Sequence, residues 1–519
     1  MTGKTYIYNL GQLFETIALK NQSSVAVKSM NGHTTTYGEL DRLSNQIAHF
    51  LCERNLRKGD VVAILNNKSS LSFGLMLACI KSGIIYTNLD PNSPPERFRK
   101  MLGVCNPSLL FYPDDERFPA AQEPGTVDVV DYTSESFLQE LMQLPVALPE
   151  CNHLVASNNP AYIMFTSGST GFPKGVLISH ASVIHFINWS KLTYGTSESD
   201  VFTNLNPMHF DNSVFDFYAS LFTGASILPI RESVTIQPRK LLNELNRLQP
   251  TIWFSVPSML VYVLNTRALK PDDLPDLRVV TFGGEGFPKN KLRELWKFWG
   301  HRVRFINVYG PTECTCICSS YPVTESDLNN DDLLPLGPVA PNFTAFIMTE
   351  DGNLMENGEI GELCLGGPNV GLGYFNNPEK TSEVFIDNPL VKSHKEKIYK
   401  TGDLAVYEKA KDIFLFKGRK DNQIKRMGYR IELEEIENAL NTLGFIEESA
   451  VIYVDNHTFS SKIIACLKSK EVEIEKIRSE LENHLPKYMM PDIMEFYDDL
   501  PKNQNGKIDR IQLKKMFNS

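Results

Sequence analysis

The residues Thr166-Ser-Gly-Ser-Thr-Gly-Phe-Pro-Lys-Gly175 follow directly on the apolar run Ala161-Tyr-Ile-Met-Phe165. A buried strand that opens into a turn of glycines and hydroxyls demands a sheet to carry the strand and a cleft for the turn to face. Glycine lets the backbone approach a phosphate closely, the hydroxyls add donors, and Lys174 adds a compact positive charge. The Walker A spacing does not fit this loop. A bland surface turn explains neither the concentration of donors nor the strand before it.

The flanking pattern is that of α/β layering. Helical periodicity runs from Tyr37 to Leu56, with Asp41 and Glu53 on polar faces, and buried strands are expected at 61–65, 84–89 and 108–112. Residues 73–80 are apolar but are cut by Lys81 and fall short of a membrane span, so they read as a buried helix. From about 120 to 158 the chain reads as a loose connection rich in Pro, Glu, Asp and Asn. Residues 399–405 and 413–416 read as strands, and a charged, turn-rich crossing follows Gly418. Beyond it come helical patterns at 431–440 and 472–485 and strands at 449–454 and 462–467. The expected organisation is a body over 1–418 and a small α+β unit over 419–519.

Charge and composition remove several functions. Fifty-two Lys+Arg against 62 Asp+Glu leave a net charge of −10, and no basic block appears, which argues against a nucleic-acid partner. A hydrophobic fraction of 42% is too high for disorder. The first residues hold no continuous apolar stretch, so neither a secretory leader nor membrane insertion is expected. Nine cysteines, an odd number, suit reduced thiols in a cytoplasmic chain. Cys314-x-Cys316-x-Cys318 has the alternation of one strand face and not the CxxC of a zinc site.

Further along stand Phe210-Asp-Asn-Ser-Val-Phe-Asp216, Asn307-Val-Tyr-Gly-Pro-Thr-Glu313, Gly361-Glu-Leu-Cys-Leu-Gly-Gly367 and Tyr399-Lys-Thr-Gly-Asp403. Gly418-Arg-Lys-Asp-Asn-Gln-Ile-Lys-Arg-Met-Gly-Tyr-Arg-Ile-Glu432 and Asn505-Gly-Lys-Ile-Asp509 complete the series. Together with the 166–175 loop, and in this order over nearly the whole chain, they resemble the adenylate-forming enzymes. Within that family the chain is similar to amino-acid adenylation domains of nonribosomal peptide synthesis and to free-standing D-alanine– and L-proline–carrier protein ligases. The resemblance implies an α/β fold, with a large body of layered subdomains and a β-barrel-like part. It also implies a small mobile C-terminal domain that turns about a hinge at Asp421.

The implied reaction joins a carboxylate to the α-phosphate of ATP, with Mg²⁺, and releases pyrophosphate. One anion attacks another, so charge must be neutralised and both groups held in line. By resemblance, Thr166, Ser167, Gly168, Ser169, Thr170, Gly171 and Lys174 hold the β- and γ-phosphates. Glu313 holds the metal and Thr312 contacts the α-phosphate. Gly283, Gly284, Glu285 and Tyr309 flank the adenine, Asp403 accepts from the ribose hydroxyls, and Arg419 supports the ribose and phosphate side. Lys507 would act with Thr312 and Glu313 in catalysis by reaching the carboxylate and α-phosphate oxygens. Gly428 would line the tunnel for a phosphopantetheine arm in the second domain orientation.

Asp211 is the branch point. Amino-acid-activating members carry an aspartate here that pairs with the substrate ammonium, and a desolvated ammonium needs such a counter-charge. Taken alone, an Asp before Asn and Ser reads as a helix cap. The implied side-chain pocket is Asp211, Asn212, Phe215, Ser255, Thr281, Gly283, Val308, Cys316 and Ile317. Asp211 apart, these are uncharged, which favours small, neutral or cyclic amino acids. The alternatives are a CoA ligase for an aryl or fatty acid, or a D-alanine ligase serving cell-wall teichoic acid. No carrier-domain Gly-x-Asp-Ser-Leu or condensation-domain His-His-x-x-x-Asp-Gly occurs, so a separate carrier protein, acting in trans, is expected to supply the phosphopantetheine thiol. Replacing Lys507 by Ala is expected to slow ATP–pyrophosphate exchange by about 100-fold or more while nucleotide binding, measured by calorimetry, persists.

Overall fold

Near-continuous apolar runs make strands buried on both faces, and here two such sheets build the body. The structure, a computed structural model, describes residues 6–114, 127–168, 171–355, 358–454, 461–469, 473–503 and 508–517. In the first sheet seven strands lie in the order 373–374, 174–179, 160–166, 85–88, 61–64, 109–112 and 128–131. The strands from 160–166 through 128–131 run parallel, and 160–166 turns back antiparallel onto Lys174–Ser179. The glycine- and hydroxyl-rich loop therefore joins two neighbouring strands at one edge of a parallel array. The expected strands at 61–65, 84–89 and 108–112 form within one residue of those limits.

The apolar run at 73–80 is a helix, Ser70–Ser82, capped by Ser69 and ended by Gly83 in the left-handed region. Its Lys81 is fully buried, and Nζ donates to Asp41 Oδ1, Ser44 Oγ and Asn45 Oδ1, each at 2.7 Å. Asp41 thus leaves the polar face expected for it and serves as the counter-ion of a buried lysine. The connection expected to be loose contains regular elements. Asp128–Asp131 extends the sheet, and the Ser134-capped helix Glu135–Gln143 buries Phe137 and Leu141. Residues 115–126 lie outside the described residues.

The second sheet has eight strands in the order 319–322, 304–309, 279–283, 252–255, 201–204, 226–229, 25–28 and 34–36, with a parallel centre. The part expected to be barrel-like is a five-stranded antiparallel sheet of 344–348, 360–366, 397–408, 385–387 and 413–419. Cys314, Cys316 and Cys318 are all buried, but they do not share a strand face. Cys314 ends a 3₁₀ turn, and Thr315 (φ 58°) and Cys316 (φ 71°) are left-handed, which breaks the extended backbone the spacing implied. Among the described residues no three His, Cys, Asp or Glu side chains gather as a metal site, and no helix is long and apolar enough to cross a membrane.

Arg419 is the last residue of the body's strand Ile413–Arg419, where it pairs with Asp403. Asp421 stands between that strand and the hairpin of Gln423–Arg426 with Tyr429–Glu432. The C-terminal unit then adds the helix Leu433–Asn441 and a three-stranded sheet of 446–454, 462–469 and 493–496. Alternation along its strands splits this sheet into two faces. Val451, Ile463 and Ala465 pack with Ile431, Ile436, Ile424 and Tyr429, whereas Ala450, Ile452 and Ile464 pack with Ile508 and Leu513. The hairpin and the residues flanking 504–507 therefore lie on opposite faces. Lys81→Ala, which removes the cation at the centre of a buried network, is expected to cost about 3 kcal/mol of stability, measurable by urea unfolding.

Candidate active site

The body presents its strand ends to one cleft. Thr166 closes the strand 160–166, Ser255 closes 252–255, Gly283 closes 279–283 and Tyr309 closes 304–309, which is where open α/β sheets bind ligands. Gly310 turns the chain so tightly that a Cβ there would lie 2.2 Å from the Cys316 carbonyl oxygen. The cleft wall includes Thr166, Ser167, Asp211, Asn212, Gly283, Gly284, Val308, Thr312, Cys316, Ile317, Asp403 and Arg419.

Asp211 precedes the helix Asn212–Leu221, yet its side chain makes no capping hydrogen bond. Its Oδ2 instead accepts from Thr312 Oγ1 at 2.5 Å. Burial pushes the Asp211 carboxyl up and Glu313 adds to this, while the Thr312 bond opposes it. A cation arriving beside this carboxylate would reverse the shift. Glu313 is fully buried. Its burial is outweighed by Arg430, which donates to Oε1 at 3.1 Å and Oε2 at 2.8 Å, and by the Tyr374 hydroxyl at 2.8 Å. Together they hold the carboxyl below its usual range.

Asp403 accepts from the Tyr309 hydroxyl at 2.6 Å and from Arg419 Nη1 at 2.5 Å, leaving further lone pairs on each oxygen. Arg419 also grips Asp421 through two bonds of 2.7 and 2.6 Å, which ties the position expected to be the hinge to this corner of the cleft. Glu285 accepts from the Ser258 amide at 2.8 Å and from the Gly428 amide at 3.1 Å.

Three residues assigned to the side-chain pocket stand behind its wall. Phe215 packs in an aromatic core with Tyr194, Phe254 and Phe202 at ring distances of 4.9, 5.1 and 5.6 Å. Ser255 Oγ accepts from Trp253 Nε1 at 2.8 Å. Thr281 Oγ1 donates to the Ile306 carbonyl at 3.1 Å and contacts the Tyr194 hydroxyl at the same distance. Ser169, Thr170 and Lys507 lie outside the described residues.

The hairpin after Asp421 enters the cleft, and here the structure adds to Gly428 further residues to which sequence reading assigned no part. Lys425 Nζ sits 5.4 Å above the Tyr309 ring, and burial lowers its pKa against the pull of Asp403. Gly428 (φ +81°) lies so close to Val256 that a Cβ would approach Cγ1 to 2.5 Å. Tyr429 stacks on Tyr488 at 3.7 Å and meets Phe210 edge-on at 5.0 Å. Arg97, from the body helix Pro95–Cys105, pairs with Glu435. Lys425, Arg430, Glu432 and Glu435 belong to the conspicuous 418–437 stretch, so density of charge was their signal. Arg97 gave none, being one arginine on an amphipathic helix.

The donor set fits a polyphosphate and a divalent cation. Ser167, the Gly168 amide and Lys174 converge on C-terminal oxygens, and Glu313 already faces a cationic group. With a single carboxylate there, Mg²⁺ would draw its remaining ligands from phosphate and water.

Comparison with known proteins matches residues 14–375 to the family described as AMP-binding enzyme and 435–507 to its C-terminal domain. Bacitracin synthase 1 of Bacillus licheniformis is 32% identical over 508 residues, covering 97% of this chain but 9% of that protein. The D-alanine--D-alanyl carrier protein ligase of Lacticaseibacillus rhamnosus is 30% identical over 515 residues, covering 98% of this chain and 99% of the ligase. The Vibrio cholerae adenylation domain AlmE, in complex with glycyl-adenosine-5'-phosphate, shares the fold at a TM-score of 0.83 and 22% identity. That match covers 100% of this chain and 99% of AlmE. Gly428→Val should drive the hairpin off Val256, seen as faster limited proteolysis around Asp421 with the body's unfolding midpoint kept.

Proposed function

Because the chain belongs to the AMP-binding enzyme family, we propose that it is an AMP-forming ligase for a small or neutral α-amino acid. It would pass the aminoacyl group to the phosphopantetheine thiol of a separate carrier protein. The observation that carries this reading is Asp211: half-buried, free of capping duty, open to the cleft and raised in pKa chiefly by desolvation. A plain fatty or aryl acid would leave that carboxylate unpaired at a cost of several kcal/mol. The neighbouring wall of Val308, Cys316 and Ile317 holds no charge for a charged side chain to meet.

ATP, when bound, supplies the phosphorus that the amino-acid carboxylate attacks and the pyrophosphate that leaves. The residues of this chain bind and orient around that event. Ser167, the Gly168 amide and Lys174 present donors to the departing anion. Thr312 bridges from Asp211 toward the phosphate side, so the ammonium pocket and the reacting carboxylate are held at a fixed spacing. Asp403 and Arg419 anchor the ribose corner, and Glu313 offers the carboxylate for Mg²⁺. Lys507 is assigned the carboxylate and α-phosphate oxygens from its motif.

We read the present orientation of the C-terminal unit as the one for thiol transfer. Gly428 is at the cleft, and the residues flanking 504–507 are on the far face of the C-terminal sheet. All nine cysteines are free, which suits a reducing, cytoplasmic setting. D-Alanine is the first substrate to test, because a ligase named for it aligns over 99% of its length. Pyrophosphate exchange across the amino acids, both enantiomers included, should show one strong response among the small neutral ones. Asp211→Ala should lower it by about 100-fold, the loss of a buried charge pair. Exchange with an aryl or fatty acid, and with no amino acid, would replace this reading by that of a CoA ligase.

A further inference from the structure

We propose that Cys52 and Cys151 are a paired-thiol modification site, which a peroxide closes reversibly into a disulfide that clamps the connection leading into the strand 160–166. The two sulfurs stand 3.8 Å apart, although the residues are 99 positions apart in the chain. Cys52 is exposed and Cys151 half-buried, whereas the other seven cysteines are buried. The pairing is set by a seam along the helix Tyr37–Glu53. Asn45 Nδ2 donates to the Val146 carbonyl at 2.9 Å, and His49 Nε2 donates to the Ala147 carbonyl at 3.1 Å. Cys52 lies one turn past His49, on the same helix face, and meets the 3₁₀ turn Glu150–Leu154. That turn has anchors of its own. Asn9 Nδ2 donates to the Asn152 and Val155 carbonyls at 3.3 and 2.9 Å, and Lys58 Nζ donates to the Leu154 carbonyl at 3.1 Å. The thiols are therefore brought together by contacts that do not involve sulfur.

A cysteine reacts with peroxide as its thiolate, and the surroundings favour that form at Cys151. Hydrogen bonding from Cys52 pulls the Cys151 thiol down, and Ser82 and His49 add to this against the effect of burial. The Ser82 hydroxyl is buried and has no other hydrogen-bond partner among the described residues. The same contact, with burial, pushes the Cys52 thiol up, so that Cys52 keeps its proton. The roles divide accordingly. Cys151 Sγ attacks one peroxide oxygen, the O–O bond breaks, and hydroxide leaves to become water with the proton that Cys151 had released. Cys52 Sγ then attacks the sulfenic sulfur of Cys151. The S–O bond breaks, and the oxygen departs as a second water with the proton of Cys52. Two thiols have lost two electrons, which reduce one peroxide to two waters. A dithiol reverses the change by exchange at the same sulfurs. In a reducing setting the pair rests as thiols and the bridge is transient. While it lasts, it fastens the end of the helix Tyr37–Glu53 to the segment that runs into Pro160–Thr166.

The test uses the full chain, reduced and then freed of reductant, with hydrogen peroxide near stoichiometry. The wild-type protein should lose two thiols towards a chromogenic aryl disulfide, without crosslinking to a second chain. Peptide mass mapping should find Cys52 joined to Cys151, and dithiothreitol should restore both thiols. Cys52→Ser should stop at a sulfenic acid on Cys151 that dimedone traps. Cys151→Ser should slow thiol loss about tenfold or more. Cys52→Ala and Cys151→Ala serve where the serine variants do not fold. Hydrogen exchange of the amides of 150–155 should slow about tenfold once the bridge has formed. Survival of both thiols under peroxide that oxidises free glutathione overturns the proposal. So does a bridge through any other cysteine, or oxidation of the two sulfurs to sulfinic acids with no bridge between them. Exchange over 150–155 that bridging leaves unchanged overturns the clamp.

Discussion

A carboxylate removed from water stays ionised only if a cation is built beside it, and Glu313 meets that requirement with an arginine from another structural unit. Arg430 reaches it across the domain boundary, and Tyr374 closes the remaining side. This one interaction brings the hairpin 423–432 into the cleft. With Arg430 in place, its carbonyl lies on Ser167, Gly428 lies against Val256 and Lys425 covers Tyr309. The geometry of the cleft is therefore a joint property of the two units. A change of partner at Glu313 is a change of domain arrangement.

The body's contribution is rigid by comparison. Parallel strands deliver Thr166, Gly283 and Tyr309 to one edge, and the aromatic cluster around Phe215 fixes the helix that begins beside Asp211. Phe215, Ser255 and Thr281 are buried behind the wall that Asn212, Val308 and Cys316 help to form. A substrate's size would be sensed at the wall and set by the packing behind it. The expected hinge has a similar logic. Asp421 is bound to Arg419, which is bound to Asp403, so the expected turning point and the expected ribose carboxylate share one guanidinium.

Much of this was legible in the chain. The strand before Thr166, the buried helix around 73–80 and the change of character after Gly418 all follow from local patterns, since burial on one or both faces writes itself into periodicity. Where reading failed, long-range contacts had overridden the local signal. The cysteines at 314, 316 and 318 alternate like a strand, but two left-handed residues turn the chain to approach Gly310. Asp41 looks like a solvated helix residue and is the partner of a buried lysine forty positions on.

The sequence by itself determined the chemistry available: a donor-rich loop on a strand end, carboxylates at Asp211 and Glu313, and a basic and acidic stretch around 418–437. Those properties are local, because they depend on residue type and on a few neighbours. The tertiary structure alone decided which charge meets which. Arg97 and Glu435 are 338 positions apart, and Glu313 and Arg430 are 117 apart. No periodicity records such a pairing, because its energy arises only when folding has removed both groups from water and placed them in contact.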